Sequence, residues 1–404
     1  MQDKQKNTTN KGPNDFTYFI SAKEYSLLDD EQRKQWTPVK ARYEKVPIFC
    51  IIAMMITAIS VIMYILFCVS ESFADFFNRY ISLSLRFLLA KITNLLPFSI
   101  AELFIILIPV IGFIAIWYLL KFRCETKRSS LIATFCILSI ASLFLSSFVL
   151  CFAAGYRTPS LDKKLGLESK PVSAQELYET ADYLTNKINE LTPEIHFNDD
   201  GSSTMPYSFS EMNGKLIEAY DKFCEKYDFI SNFKSTLKPV LLSEGLSYMH
   251  ITGVYTFFTG EANINVSFPD YSIPYTSAHE LAHQRGIARE DEANMVAFLV
   301  CIESDDPYIQ YSAYTNVYEY VVSALSKAER ELYRDVRQKI DKSFINEQIA
   351  FSKFFDKYKK SVASQVSGVV NDAYLVSQGT VGQVSYGMVV DLTVAYFKKL
   401  EIVN

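Results

Sequence analysis

Three long apolar runs, separated by polar segments, occupy much of the first 160 residues. Residues 46–70 contain no charged side chain, and at about 1.5 Å of rise per residue such a helix is longer than a hydrocarbon core of about 30 Å. Residues 103–120 and 131–156 are also uncharged and pass the same test, although Pro109 lies inside the second run. The pattern predicts three transmembrane helices, at about residues 46–70, 99–120 and 131–156.

The segment between the first two runs, residues 71–98, mixes charged residues with aromatic and aliphatic ones. Its charges are spread along it, at Asp75, Arg79, Arg86 and Lys91. A helix of this composition lies in the membrane interface rather than across the bilayer. We therefore predict an interfacial helix over residues 71–98.

Positive charges close to the apolar runs indicate the orientation. They lie before the first run, at Arg33, Lys34, Lys40, Arg42 and Lys45, and in the short loop after the second, at Lys121, Arg123, Lys127 and Arg128. Short basic segments stay cytoplasmic, so three spans place the rest of the chain outside. We predict a cytoplasmic basic tail (1–45), a multi-pass membrane anchor (46–156) in contact with the lipid bilayer, and an extracytoplasmic domain (157–404).

The pattern after residue 156 is that of a soluble, mainly helical domain. Apolar residues at three- and four-residue spacing predict helices at residues 174–191, 210–227, 275–286 and 290–303, and a series over residues 311–400. Polar and apolar residues alternate over residues 262–268, which follow another strand-like stretch at residues 254–258. The fold class is therefore a mainly α membrane protein whose outer domain is α+β, mostly helical, with a small sheet.

The net charge and the positions of the cysteines indicate whether nucleic acid and disulfide bonds are to be expected. The net charge is −5, and the C-terminal part has no Lys/Arg cluster that could neutralise a row of phosphates, so nucleic acid is not expected as a partner. Five of the seven cysteines lie in the apolar runs or the basic loop. The other two, Cys224 and Cys301, could form one bridge.

The candidate chemistry lies in the predicted helix at residues 275–286, which contains the sequence His279-Glu280-Leu281-Ala282-His283. Residues four apart lie on one helix face, so His279 and His283 present their imidazoles side by side, as two ligands of a tetrahedral Zn²⁺ do. Glu280 lies beside them and can take a proton from water, whose pKa a zinc ion lowers towards about 7.

A third, anionic ligand is available just after the two histidines. Gly286 permits a sharp turn after the helix, and the chain continues with Glu290 and Glu292. On an ideal helix these two glutamates point roughly 160° apart, so only one of them can bind the metal, and the spacing leaves the choice open. The other glutamate, together with Asn294, would support the site.

Other groups are candidates for binding substrate. The strand at residues 262–268 precedes the site helix and could be an edge strand that pairs with an extended peptide, or an ordinary sheet edge. Tyr386 or Tyr374 could donate a hydrogen bond to an oxyanion. His196 and His250 are expected to be structural.

These stretches carry a resemblance to a known family. Thr259-Gly260-Glu261-Ala262-Asn263, the run from His279 to Gly286, the segment from Glu290 to Asn294 and Ser385-Tyr386-Gly387 follow a group of membrane helices. Together they resemble the bacterial domain-of-unknown-function 3810 proteins over nearly the whole chain after residue 45. The resemblance implies a location in the bacterial cell membrane.

The site also resembles that of gluzincin metallopeptidases, among them membrane-bound HtpX-like and CAAX-processing proteases. In those enzymes a Glu-x-x-(Ala or Cys)-(Asp or Asn) motif supplies the third ligand from its first residue, and here the motif begins at Glu290. The resemblance thus implies Glu290 as the third ligand and a zincin-like fold for the outer domain. The third histidine of a metzincin would fall at Arg289, so the chain is not a metzincin.

The sequence therefore predicts a membrane-anchored zinc metallopeptidase that uses Glu280 as its base and zinc-activated water to hydrolyse a peptide or protein near the membrane surface. A transporter is also conceivable as a hypothesis, but three spans without an intramembrane charge pair give it little support. The main alternative is a non-enzymatic binding or assembly protein of the cell envelope with a structural or vestigial metal site. An intact Glu280 favours the enzyme, since a structural metal site does not need that carboxylate.

Overall fold

The computed structural model describes residues 19–20, 26–33, 37–38, 45–123, 127–168, 170–359, 361–382 and 388–403. Packing within the chain defines two units. The first comprises Met1–Ile59 with Ile106–Leu145, and the second comprises Ser60–Ile105 with Ser146–Asn404. The second unit therefore joins the membrane-proximal residues to the later part of the chain, whereas the sequence predicted a domain boundary at residue 156.

Helices dominate the described residues, with a few short strands. The strands are β1 (Phe19–Ile20), β2 (Thr37–Pro38), β3 (Lys238–Pro239), β4 (Gly253–Thr256) and β5 (Glu261–Ile264). The helices are α1 (Asp30–Arg33), α2 (Ile48–Val69), α3 (Glu71–Phe76), α4 (Leu83–Thr93), α5 (Ile100–Arg123), α6 (Lys127–Cys151), α7 (Leu161–Leu165), α8 (Ala174–Leu191), α9 (Phe209–Lys226), α10 (Ser243–Tyr248), α11 (Ile273–Gln284), α12 (Glu290–Ile302), α13 (Pro307–Ala328), α14 (Arg330–Lys339), α15 (Lys342–Asp356), α16 (Val362–Ser377) and α17 (Val389–Lys399).

Three of these helices are long and apolar enough to cross a membrane. Their apolar parts are Ile48–Val69, Ile100–Leu120 and Ser130–Cys151, which confirms the predicted number of candidate spans. The third ends at Cys151, five residues before its predicted end, because a 3₁₀ turn, Ala153–Arg157, follows it. Gly155 in that turn leaves no room for a side chain, since a Cβ there would lie 2.8 Å from the carbonyl oxygen of Gly286.

The first unit contains the parallel pair β1 and β2 and parts of α2, α5 and α6. Within it, α2 contacts α6 through small polar and thiol groups: the sulfur atoms of Cys50 and Cys136 are 3.2 Å apart, and the hydroxyl of Thr57 donates to that of Ser142 at 2.9 Å. Such contacts between small side chains are typical of helices that pack within a bilayer.

In the second unit, residues 71–98 combine exposed apolar side chains with one buried charge. They form α3, one π-helical stretch (Phe77–Ser82) and α4. Arg86 of α4 is completely buried, and its guanidinium donates to Asn78 Oδ1 at 3.0 Å and to the carbonyl oxygen of Cys151 at 2.8 Å. The segment is helical, as predicted, but one of its charged residues lies inside the unit.

The sheet of the second unit has three strands in the order β3-β5-β4. β5 pairs in parallel with β3 and antiparallel with β4, and all four of its residues are buried. The strand predicted at residues 262–268 is therefore shorter and lies in the centre of the sheet. The prediction that it could be the edge strand is wrong, since β3 and β4 occupy both of its sides.

Side chains of the sheet hold the start of α5, the second candidate span. The carboxylate of Glu261 accepts hydrogen bonds from the backbone N–H groups of Ile100 at 3.0 Å and Ala101 at 2.9 Å. These N–H groups have no partner within the helix, and the positive end of its dipole favours an anion there. Asn263 Oδ1 also accepts from the Ser99 hydroxyl at 2.6 Å.

Helices form the rest of the second unit's core. The predicted helices at residues 174–191, 210–227, 275–286 and 290–303 correspond to α8, α9, α11 and α12, with ends that differ by two residues at most. Capping boxes at Ser173 and Ser208 start α8 and α9. All residues of α11 are buried, so its polar side chains must find partners within the protein.

We expect Glu261→Gln to lower the free energy of unfolding by about 1–3 kcal/mol, because an amide cannot accept both hydrogen bonds from the start of α5. The measurement is urea unfolding of the detergent-solubilised protein. Glu331→Gln on α14, where the carboxylate is 78% exposed, serves as control and should change stability by less than about 0.5 kcal/mol. Equal effects of the two substitutions would contradict this account of Glu261.

Candidate metal centre

The two histidines of the site lie on one face of α11. This helix begins with Ile273 and Pro274, and a proline in the first turn suits a helix start because its missing N–H needs no partner there. His279 and His283 follow at four-residue spacing, with ring centroids 4.6 Å apart. Both side chains are buried.

A turn centred on Gly286 connects α11 to α12. Gly286 has φ +100°, a conformation that residues with a side chain rarely adopt. Its carbonyl oxygen accepts a hydrogen bond from Asn78 Nδ2 at 2.9 Å. A Cβ at this position would overlap the guanidinium of Arg86, so both the backbone angle and the space require glycine.

The turn brings Glu290, the first residue of α12, to the two histidines. Its Oε2 lies 3.2 Å from His279 Nε2 and 3.5 Å from His283 Nε2, and the ligand atoms of the three residues all lie within 4.8 Å of one another. Tetrahedral coordination at zinc–ligand distances of about 2.0–2.1 Å separates neighbouring ligand atoms by about 3.3–3.4 Å. The two distances from Glu290 are therefore close to the spacing of neighbouring ligand atoms around such an ion.

Glu292, the alternative third ligand, lies outside the donor set. Its Oε1 accepts hydrogen bonds from the backbone N–H of Leu161 at 2.9 Å and from Arg289 Nη1 at 2.7 Å. These contacts fix its carboxylate on the side of α12 that faces away from the histidines. Of the two glutamates that spacing left open, the structure brings Glu290 into the site.

A hydrogen bond at Nδ1 orients the ring of His283, whose Nε2 lies near Glu290. Its Nδ1 donates to the carbonyl oxygen of Ile287 at 2.7 Å, which leaves the lone pair of a neutral ring on Nε2. Burial disfavours a charge on this ring, but Glu290 outweighs burial and raises the pKa of His283 to about 9. Burial likewise opposes ionisation of Glu290, and the two histidines outweigh it and hold the pKa of Glu290 well below its usual value.

Glu280 lies beside the donor set and takes no part in it. Burial raises its pKa, and the two histidines and the backbone of Tyr255 partly offset that rise. Gly253 at the start of β4 makes room for it, since a Cβ there would lie 2.7 Å from Glu280 Cγ and Oε1. A carboxylate with a raised pKa next to a metal site can both accept and return a proton near neutral pH.

A cavity of about 720 Å³ opens onto these groups. Its described lining includes nine phenylalanine and tyrosine rings, those of Phe152, Tyr156, Tyr255, Phe257, Phe268, Tyr275, Tyr320, Phe351 and Tyr374. No lysine or arginine is among the described lining residues, and their carboxylates are those of Glu280 and Glu290. The cavity is therefore suited to a neutral, partly apolar ligand.

Of the two tyrosines predicted to donate to an oxyanion, Tyr374 of α16 lies within the described residues and lines this cavity. Its hydroxyl lies 3.1 Å from that of Tyr156, and burial raises its pKa to about 12, so it stays protonated at neutral pH. Tyr386, the other predicted donor, lies outside the described residues. Tyr156 and Tyr320 also line the cavity, and nothing in their sequence context distinguished them from the chain's other tyrosines.

The sequence matches the model of one protein family over residues 73–394, most of the chain. That family is described as a protein of unknown function, DUF3810. The chain belongs to the DUF3810 family. No curated protein and no solved structure gives a significant match.

Further expectations concerned other cysteines and histidines of this DUF3810 protein. Cys224 and Cys301 are both free, so the bridge between them is not formed. His250, expected to be structural, donates from Nε2 to the carbonyl oxygen of Tyr358 at 3.1 Å and also lines the cavity.

Asn294, which was expected to support the site, also lines the cavity. Its backbone carbonyl oxygen accepts a hydrogen bond from the Tyr275 hydroxyl at 3.0 Å.

We expect Gly286→Ala to destabilise the protein by more than about 2 kcal/mol, because the left-handed backbone conformation and the overlap with Arg86 both oppose a methyl group. Thermal unfolding in nanodiscs measures the effect. Gly214→Ala in α9 is the matched control: a Cβ there meets nothing within 4 Å, so the change should be neutral or stabilising by up to about 1 kcal/mol. A Gly286→Ala variant as stable as the control would show that the turn is not constrained in this way.

Proposed function

We propose that this protein is a membrane-anchored, zinc-dependent peptidase. The observation that carries the proposal is the convergence of His279, His283 and Glu290 on one point, with the buried carboxylate of Glu280 beside them at the wall of a cavity. The local sequence resembles that of zincin metallopeptidases of the gluzincin type, in which two histidines and a glutamate bind the metal. The site geometry is compatible with that ligand set.

Zn²⁺, when bound, would supply a Lewis acid that polarises a peptide carbonyl and lowers the pKa of water. His279 and His283 would each offer Nε2, and Glu290 a carboxylate oxygen. With three protein ligands a tetrahedral ion keeps one position open, as catalytic zinc sites do. Two neutral imidazoles and one carboxylate also leave a net positive charge, which stabilises an oxyanion.

Glu280 would act as general base and then as general acid. It accepts a proton from the attacking water as the new C–O bond forms, and a proton passes back to the leaving nitrogen as the C–N bond breaks. Burial of the carboxylate raises its pKa, which makes both transfers accessible near neutral pH.

Tyr374 is the donor that we assign to the oxyanion, and Tyr386 is the alternative. A phenol that stays protonated can donate to the oxygen of the attacked carbonyl as negative charge develops on it. The raised pKa of Tyr374 keeps that proton in place. Its position in the cavity wall supports the assignment.

The proposed substrate is a peptide or protein near the membrane surface. The Phe152 ring, one residue after the third candidate span, lies 5.8 Å from the ring of His283. The strand adjacent to Glu280 is β4, an edge of the sheet, and an extended peptide could pair with it. The basic segments before the first span and after the second favour an extracytoplasmic site in a bacterial cell membrane.

We expect the purified protein to contain about one zinc per chain, measured by elemental analysis. His283→Ala and Glu290→Gln each remove a ligand and should abolish most of this content. Glu292→Gln is the matched control, since that carboxylate is buried on the same helix but faces Leu161 and Arg289. Full zinc in Glu290→Gln, or no zinc in the unmodified protein, would refute the assigned ligand set.

Glu280→Gln should keep its zinc and lower peptide cleavage by about 10²–10⁴-fold, because the amide has the same shape but cannot accept the proton. Mass spectrometry of a mixed peptide library, incubated with the protein in nanodiscs, measures cleavage. Glu331→Gln, on an exposed helix, serves as the active control. Zinc binding without cleavage by either the unmodified or the control protein would favour the non-enzymatic alternative, a binding or assembly protein of the envelope.

A further inference from the structure

Helix α16 has polar and small residues on the face that lines the cavity and apolar residues on its exposed face. A helix at the surface of a water-soluble domain has the reverse arrangement. One face lines the cavity with polar or small residues: Ser364, Ser367, Gly368, Asn371 and Tyr374. The opposite face consists of valines that are 54–73% exposed: Val362, Val366, Val369, Val370 and Val376. At roughly 100° per residue the two sets occupy separate arcs on opposite sides of the helix.

An exposed apolar face of this size is unusual on a soluble protein and marks a contact with lipid or with another protein. The one charged residue of α16 is Asp372, which lies at the flank of the valine arc. The valines are therefore free of the charged residues that would keep a helix surface in water. Such a face is suited to an apolar medium.

Contacts of α16 identify that medium. The Tyr374 ring lies 6.0 Å from the ring of Phe148, and Phe148 lies three residues before the end of the third candidate span. Phe148 also contacts Phe257, and Phe258 contacts Phe104 at the start of the second candidate span. Through Tyr374, helix α16 therefore packs beside the end of the third candidate span.

We propose that the valine face of α16 lies in the interfacial region of the bilayer that holds the chain's own spanning helices. The helix would run along the membrane surface with its valines among the upper acyl chains, as amphipathic interfacial helices do. Its opposite face would then form a wall of the cavity. This inference is independent of the proposed peptidase activity.

Quenching by brominated lipids tests the proposal. The background protein carries Trp36→Phe and Trp117→Phe, which removes both native tryptophans, and is reconstituted in nanodiscs with or without acyl-chain bromine. Val366→Trp and Val369→Trp place single reporters on the valine face, and Glu331→Trp on α14 is the exposed control in the same unit. Circular dichroism melting verifies that each variant is folded.

We expect bromine to lower the emission of both reporters on α16 by at least about twofold, and that of the control by much less, because bromine quenches tryptophan at short range. If bromine lowers the emission of Val366→Trp and Val369→Trp no more than that of the control, the proposal is overturned. Blue-shifted emission without quenching would overturn it as well, since a second copy of the chain or another protein would then cover the valines.

Discussion

The turn at Gly286 is the constraint on which the site depends. Its carbonyl oxygen is held by Asn78, which in turn is held by Arg86, and both residues come from the segment that follows the first candidate span. A buried guanidinium is stable only if its N–H groups find acceptors, so this contact ties the membrane-proximal helices to the turn that orders the site. A displacement of Asn78 would move the carbonyl of Gly286, and with it the spacing between His283 and Glu290.

This arrangement explains why the second unit contains residues from both sides of the predicted boundary. Glu261 and Asn263 of the central strand hold the start of α5, while Arg86 binds the carbonyl oxygen at the end of α6. The contacts of Glu261 and Arg86 satisfy backbone groups at the ends of helices, which have no partners within the helix, and Asn263 accepts from the Ser99 hydroxyl just before α5. The ends of two candidate spans are thus fixed against the strands and turns that surround the site.

The sequence predicted the features that depend on local spacing. It did not predict those that depend on contacts between residues far apart in the chain. The pair of His279 and His283 follows from helix periodicity, and so do α8, α9 and α12. Spacing could not choose between Glu290 and Glu292, because the position of Glu292 depends on the backbone N–H of Leu161, a residue far away in the chain. The central position of β5 depends on β3, a strand of two residues with no pattern of its own. Likewise, the composition of residues 71–98 indicates an interfacial helix and does not reveal that Arg86 is buried.

The charge balance around the cavity bears on the metal ion proposed for the site. Two buried carboxylates, Glu280 and Glu290, lie close to two imidazoles, and the described lining contains no lysine or arginine. Buried carboxylates that lack a compensating charge cost several kcal/mol each, and a protonated His283 can offset one of them. A divalent ion would offset both and leave the imidazoles neutral, which is the form in which they bind metals. This balance of charge is compatible with the metal ion that we propose for the site.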